Sequence, residues 1–190
     1  MQKKLDALYH EIAVCQKCPL GLERTNPVRD STNPCSAKVV FIGEAPGANE
    51  VKQGIPFAGE AGKKLSMYLE EAGLTREDVY ITNVVRCRPT ANGGKRNRTP
   101  GKEIPICGGW LKNELEIIQP KTVVTLGNTA LKWLCGKEFS IGDWHARIIP
   151  MNGFAIFPMY HPAAAIYNRS LDGIIRSEFQ ELGLYLGSLL

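Results

Sequence analysis

The 190-residue chain has no apolar run long enough to span a bilayer, which removes a helical membrane protein from consideration. Its opening stretch, MQKKLDALYHEIAVC, starts basic but lacks the apolar segment and small-residue cleavage site of a secretory signal, so a cytosolic protein is expected. Internal repeats and low-complexity tracts are absent. A second C-x2-C pair, usual in zinc ribbons, is also missing. Charge is nearly balanced, with 23 Lys and Arg against 19 Asp and Glu, and the net +4 says little about partners by itself. The 22% charged content is ordinary and does not specify thermal origin.

What is present is more informative. The length fits one domain, residues 1–190, with room for a sizeable core, and 44% hydrophobic content suits a globular protein. The positive charge is unevenly placed. Arg86, Arg88, Lys95, Arg96, Arg98 and Lys102 fall in one stretch without an acid, leaving the remainder of the chain at about −2. Such a strip on a near-neutral body suggests an anionic partner, the plainer reading being a solvated loop. Six cysteines occur. Cys15 and Cys18 form C-x2-C, and Cys87 and Cys107 follow singly. In a cytosolic chain four separated thiols suit a tetrahedral zinc, an iron–sulfur cluster or plain core packing, and spacing alone does not choose among them. Cys135, in the apolar ALKWLC, is expected to pack. Cys35 receives no role.

Strand and helix signals alternate. AKVVFIG, VYITNVV and KTVVTLG read as strands, and RIIPMNGFAIFPMYHP reads as a hairpin turning at Asn152–Gly153. Helical spacing marks Lys3–Cys15, AGKKLSMYLEEAG, EIPICGGWLKNELEIIQP, NTALKWLCG and the C-terminal DGIIRSEFQELGLYLGSLL. Gly108 and Gly109 weaken the third of these. The pattern predicts an α/β fold, three-layer α/β/α around a central, mostly parallel four-stranded sheet. Thr90–Gly101 is the one insertion with a flexible character.

Ligands of such sheets gather at the carboxyl ends of the strands. Four unusual stretches fall there: GEAPG after the first strand, Asn83 in the second, GN after the third and HPAA after the last. Phe57 stands in a Pro/Gly-flanked loop rather than a regular strand.

GEAPG, GIPFAG, TNVVRCRP and HPAA, in this order and with the four cysteines, closely resemble family 4 uracil-DNA glycosylases, the iron–sulfur members of the uracil-DNA glycosylase superfamily. The resemblance runs from Cys15 to about Arg169. It implies hydrolysis of the N-glycosidic bond of deoxyuridine in DNA, releasing uracil and leaving an abasic site, with no other strand chemistry. His161 then donates to uracil O2, where negative charge develops. Asn83 reads the base, accepting from N3–H and donating to O4, a pattern cytosine does not match. Phe57 stacks on the flipped base, worth about 1–3 kcal/mol. Glu44 orients the attacking water, stabilises the cationic sugar, or braces its own loop, with backbone groups from Gly43 to Gly47 beside it. Glu50 lies where thymine's methyl is excluded. Cys15, Cys18, Cys87 and Cys107 ligate a [4Fe–4S] cluster, structural in a reaction that transfers no electrons. Arg88, Lys95, Arg96, Arg98 and Arg169 contact the DNA backbone, and Ile166, Tyr167 and Arg169 supply the duplex wedge.

Two other readings stand beside it: an iron–sulfur DNA-binding protein without turnover, either a covalent uracil trap, for which His145 in GDWHAR is the one candidate, or a replication-associated module; and a nucleoside hydrolase, which the basic strip disfavours. The expected partner is uracil-containing DNA, single- or double-stranded, bound by a monomer in a prokaryotic, nucleoid-associated cytoplasmic setting with no membrane. A sliding-clamp contact through either terminus is left open, since neither MQKKLDALYH nor GLYLGSLL specifies it.

Overall fold

The computed structural model describes residues 1–23, 28–29, 37–91, 94 and 96–189. Helix α1 (Gln2–Ala13) and a short α2 (Pro19–Glu23) precede strand β1 (Val39–Gly43). Helices α3 (Ala48–Gln53) and α4 (Glu60–Glu71) lead to β2 (Val79–Asn83). The two-residue strands β3 (Thr90–Ala91) and β4 (Arg96–Asn97) follow, then α5 (Glu103–Ile118), β5 (Thr122–Leu126), α6 (Asn128–Cys135) and α7 (Ile141–Trp144). Strands β6 (Ile149–Pro150) and β7 (Ala155–Met159) and helices α8 (Ala164–Tyr167) and α9 (Leu171–Gly187) complete the order.

The main sheet runs β2-β1-β5-β7-β6. Its first four strands are parallel, as expected, and the short β6 adds an antiparallel edge through the anticipated hairpin. Val39–Gly43, VVFIG, is buried along its whole length, as a strand covered on both faces has to be. Its side chains alternate between two cores. Val40 and Ile42 join Leu5, Leu8, Ile12, Leu111 and Leu131 beneath α1, α5 and α6. Val39 and Phe41 join Leu65, Leu69, Phe179 and Leu182 beneath α4 and α9. Three layers result.

Two details differ from the sequence reading, and between them one helix weakened by its glycines is borne out. VYITNVV is strand only to Asn83; the amides of Val84 and Val85 turn instead to the carbonyls of Gly43 and Glu44 (both 3.0 Å), because β1 ends there too. EIPICGGWLKNELEII runs as one helix through both glycines. The Thr90–Gly101 insertion holds the small hairpin β3–β4, paired Thr90 to Asn97 and Ala91 to Arg96. Among the described residues no helix is long and apolar enough to cross a membrane.

Candidate active site

The carboxyl ends of β1, β2 and β7 open into one cleft of about 400 Å³, lined in part by Pro46, Glu50, Phe57, Asn83, Asn97 and His161. Three of the four unusual stretches therefore converge. The fourth, GN after β5, contributes through the following Thr129.

Gly43 ends β1 where the chain has no room for a side chain. A Cβ there would lie 2.5 Å from Asn83 Oδ1 and 3.3 Å from the Phe57 ring. Glycine thus lets the amide of Asn83 and the ring of Phe57 close on the strand end. Asn83 is buried, 7% exposed, so its carboxamide is withheld from bulk water and left to whatever enters the cleft.

Phe57 adopts φ +54°, in the left-handed region that a bulky residue rarely occupies. Two contacts around it fix the geometry. Gly62, in the first turn of α4, lies so close that a Cβ would be 1.6 Å from the Phe57 carbonyl oxygen. Arg76 donates to the Pro56 carbonyl at 3.1 Å. Local strain held by its surroundings is a recurrent property of binding loops. Here it turns the ring onto His161, with centroids 5.4 Å apart and planes 24° from parallel.

His161 lies two residues beyond the end of β7. Its Nδ1 accepts the Ala163 amide at 3.1 Å. The dense packing around the ring pushes its pKa down from 6.5 to about 4, so the imidazole is neutral near pH 7. A neutral ring whose Nδ1 is an acceptor carries its proton on Nε2. The bond to the Ala163 amide and the donor role implied for this histidine thus belong to opposite nitrogens of one ring.

Glu44 leaves β1 beside the cleft, and its Oε2 accepts the Thr129 hydroxyl at 2.5 Å. Sequence reasoning missed Thr129, although the GN stretch marked the strand end it follows. Glu50 sits on α3, a helix absent from the sequence pattern. Its Oε1 accepts the Gly59 amide at 3.3 Å, bracing the far side of the cleft. Asn97 was also missed. It stands on β4, and its Oδ1 is held by Arg88 Nε at 2.6 Å while its residue lines the cleft. Ile166 and Tyr167 line the same mouth, Tyr167 being 89% exposed.

A second, much smaller cavity of about 10 Å³ lies near the exit of β2. Cys15, Cys18, Cys87 and Cys107 all line it, together with Ile12 and Trp110. Cys107 Sγ accepts the Arg86 amide at 3.2 Å, and burial pushes its thiol pKa up despite that bond.

The basic strip does not behave as a unit, and Arg86 corrects the charge reading. It is buried against Glu114, donating to Oε2 at 2.6 Å. Tyr9 Oη (2.6 Å) and Tyr80 Oη (2.9 Å) donate to the other carboxylate oxygen, and Thr82 donates to Oε2 at 2.7 Å. Burial alone would raise the Glu114 carboxyl; the Arg86 guanidinium reverses this and holds it below its usual range. Arg98 is turned inward as well, bonded to the Thr90 carbonyl at 3.0 Å and ion-paired with Glu103. Arg96, Lys102 and Arg169 are exposed, whereas Lys95 and Cys35 lie outside the described residues.

Residues 30–182 match the family model of the uracil DNA glycosylase superfamily. The chain is 39% identical to the type-4 uracil-DNA glycosylase of Sulfurisphaera tokodaii, across 94% of this chain and 83% of that protein. It is 41% identical to the type-4 enzyme of Thermotoga maritima, across 89% and 86% of the two chains. The type-4 enzyme of Archaeoglobus fulgidus is 37% identical over 97% and 94%. A cleft at three strand ends, four thiols around a neighbouring cavity and these matches agree: the chain belongs to the uracil DNA glycosylase superfamily, on its type-4 branch.

Proposed function

We propose that the protein is a monofunctional uracil-DNA glycosylase that hydrolyses the N-glycosidic bond of deoxyuridine in DNA, releasing uracil and leaving an abasic site for base excision repair. The observation that carries this reading is the neutral His161 imidazole, its Nδ1 tied to Ala163 and its Nε2–H left to donate, in the same cleft as the Asn83 amide. A uracil extruded from DNA stacks on Phe57 and pairs its N3–H and O4 with Asn83. As the glycosidic bond breaks, charge collects on O2, and the Nε2–H bond strengthens with it. A neutral donor has no ground-state charge to neutralise, so its effect falls mainly on the departing anion.

Glu44 stands on the sugar side of the cleft, its carboxylate aimed by Thr129. In this reading it orients the attacking water and opposes the positive charge that develops on the sugar. Asn97 is placed to meet the same water or the adjoining backbone. Glu50 keeps α3 close to the base, where thymine's methyl would collide. The covalent-trap alternative loses its candidate, because His145 is engaged by Glu178 at 2.9 Å and does not line the cleft.

The cysteine cavity fits an iron–sulfur cluster by its donor set. Four thiols face one void with apolar walls, and a backbone N–H is already aimed at one sulfur. Cys15, Cys18, Cys87 and Cys107 would hold a [4Fe–4S] cluster. Its contribution is to cross-link the segment after α1, the exit of β2 and the start of α5, not to move electrons. Residues 1–190 act as one unit on this view, since α1 provides Tyr9 to the Glu114 carboxylate and leads into two of the thiols.

The partner is uracil-containing DNA, met by Arg88, Arg96, Lys102 and Arg169, with Lys95 as a further candidate and Ile166 and Tyr167 as the wedge. The protein works as a monomer at the nucleoid; a clamp contact has no feature here to support it. The test is a uracil-containing oligonucleotide incubated with protein, treated with alkali and resolved on a denaturing gel. Strand breaks in excess of enzyme are expected. A heat-stable protein–DNA adduct in their place would overturn the reading.

A further inference from the structure

Two titratable groups, the half-buried His145 and the buried Glu178, take no part in the chemistry above and pack against the end of β7 that leads to His161. Strand β7 is paired on one edge by β5 along its whole length, but β6 covers its other edge only at Ala155 and Ile156. Beyond that point the exposed edge is completed by other means. The Ala146 amide donates to the Pro158 carbonyl at 2.8 Å, and Glu178 Oε2 accepts the Tyr160 amide at 3.1 Å. Glu178 stands on α9 and is 2% exposed. Its second oxygen lies 2.9 Å from His145 Nδ1, a close approach in which neither atom makes an aligned hydrogen bond among the described residues. The His145 ring leans on Tyr160, centroids 4.9 Å apart. Tyr160 is the residue immediately before His161.

We propose that Glu178, backed by His145, is a positioning residue for His161: it replaces the missing strand neighbour at the end of β7 and so fixes the peptide that carries the catalytic ring. Without an acceptor at this point, the Tyr160 amide would be left unpaired, and the chain between Met159 and His161 could rotate away from the base. Aim matters here, because a displacement of about 1 Å at a reacting group can cost roughly 100-fold in rate. With a proton on Oε1 directed to His145 Nδ1, Oε2 remains the acceptor for Tyr160 and the pair is neutral overall, as its burial favours. Glutamine reproduces that arrangement, with its NH2 toward His145 and its oxygen toward Tyr160. Methionine keeps the volume and removes both polar contacts.

This inference rests on the glycosylase reading, and two measurements separate the two. Steady-state uracil release is measured for the parent, Glu178→Gln and Glu178→Met, and the His161 imidazole nitrogens are observed by 15N NMR in each. E178Q should stay within about three-fold of the parent, while E178M loses at least about ten-fold in kcat with KM little changed, the split expected when aim rather than binding is lost. The E178M spectrum should show the Nε2–H, Nδ1-acceptor signature of the parent averaged or shifted. If E178M does not fold, Glu178→Asp, which draws the carboxylate back by one methylene, replaces it with the same expectation. A folded variant with parental kcat, or one whose kcat falls while the His161 signals stay put, overturns the proposal. A parent that releases no uracil but whose His161 signals move on substitution overturns the glycosylase reading and leaves the positioning role standing.

Discussion

The base cleft and the cysteine cavity begin four residues apart on one chain segment, at Asn83 and at Cys87, and they use opposite physics. In the cleft, polar groups are fixed by one bond and left with capacity for another: His161 is tied through Nδ1, Glu44 through one oxygen and Asn97 through its carbonyl. Beside the cavity the Glu114 carboxylate is saturated, although Arg86 Nε has no hydrogen-bond partner among the described residues. Glu114 accepts from Arg86, Tyr9, Tyr80 and Thr82 and retains nothing to offer a ligand. A site that reacts keeps valence in reserve, whereas a scaffold consumes it.

The sharpest way to break this contrast is to remove a thiol. Cys87→Ser should abolish any broad visible absorption near ~400 nm and with it the folded state, seen as loss of a cooperative melting transition. Retention of full stability would mean that the cavity is not a scaffold. Next in size are changes in the cleft. His161→Ala or Asn83→Ala should lower kcat by about 100- to 1,000-fold, the usual loss for a donor aimed at a developing anion, while melting temperature and visible absorption stay near parental.

Gly62→Ala tests whether the strained Phe57 is held from behind. The new Cβ would meet the Phe57 carbonyl at 1.6 Å, so the loop has to move. A stability loss of about 1–3 kcal/mol is expected by denaturant titration, with a rise in KM as the stacking platform shifts. A variant with parental KM would show that the platform tolerates relocation.

Salt dependence sharpens the comparison on the basic strip. Arg96→Ala or Lys102→Ala should each reduce the slope of log K against log salt by up to about 1 for uracil-free DNA. Arg98→Ala should change it less and reduce stability instead, because Arg98 already faces Glu103. Equal slopes for all three would return Arg98 to the DNA face.

The last effect, one of pH rather than of contact, concerns Glu178. Burial pushes its carboxyl up from 4.5 to about 8, against the Tyr160 amide, which favours the ionised form; Glu181 on the same helix adds to the rise, and His145 and Tyr160 face it from across the layer. Between those pH values the folded protein keeps a proton that the unfolded chain has lost, so this group makes stability fall as pH rises from about 4.5 to about 8. Glu178→Gln removes that slope. Its melting temperature should gain on the parent between pH 5 and pH 8, and a constant difference would argue against the buried proton.

The contrast also explains what was legible beforehand. Asn83, His161, Phe57 and Glu44 stood out because polar or aromatic residues at strand exits are conspicuous against apolar strands, and the structure brings all four to one cleft or its edge. Arg86 was misread because its fate depends on Glu114, 28 residues away, and no local pattern announces a buried partner. Thr129 and Asn97 were missed for the same reason: each matters through the one residue it touches. The positive φ of Phe57 and the helix α3 arise from tertiary closure around Gly62 and Glu50, not from local propensity.

The bond from Ala163 to His161 has a consequence of its own. The tautomer of the catalytic ring is set by a main-chain amide two positions downstream, so position 163 is constrained by its backbone alone. Any residue that brings an N–H will serve there, a bulky or charged one included if it fits the cleft wall, and proline is the single natural residue that erases the instruction.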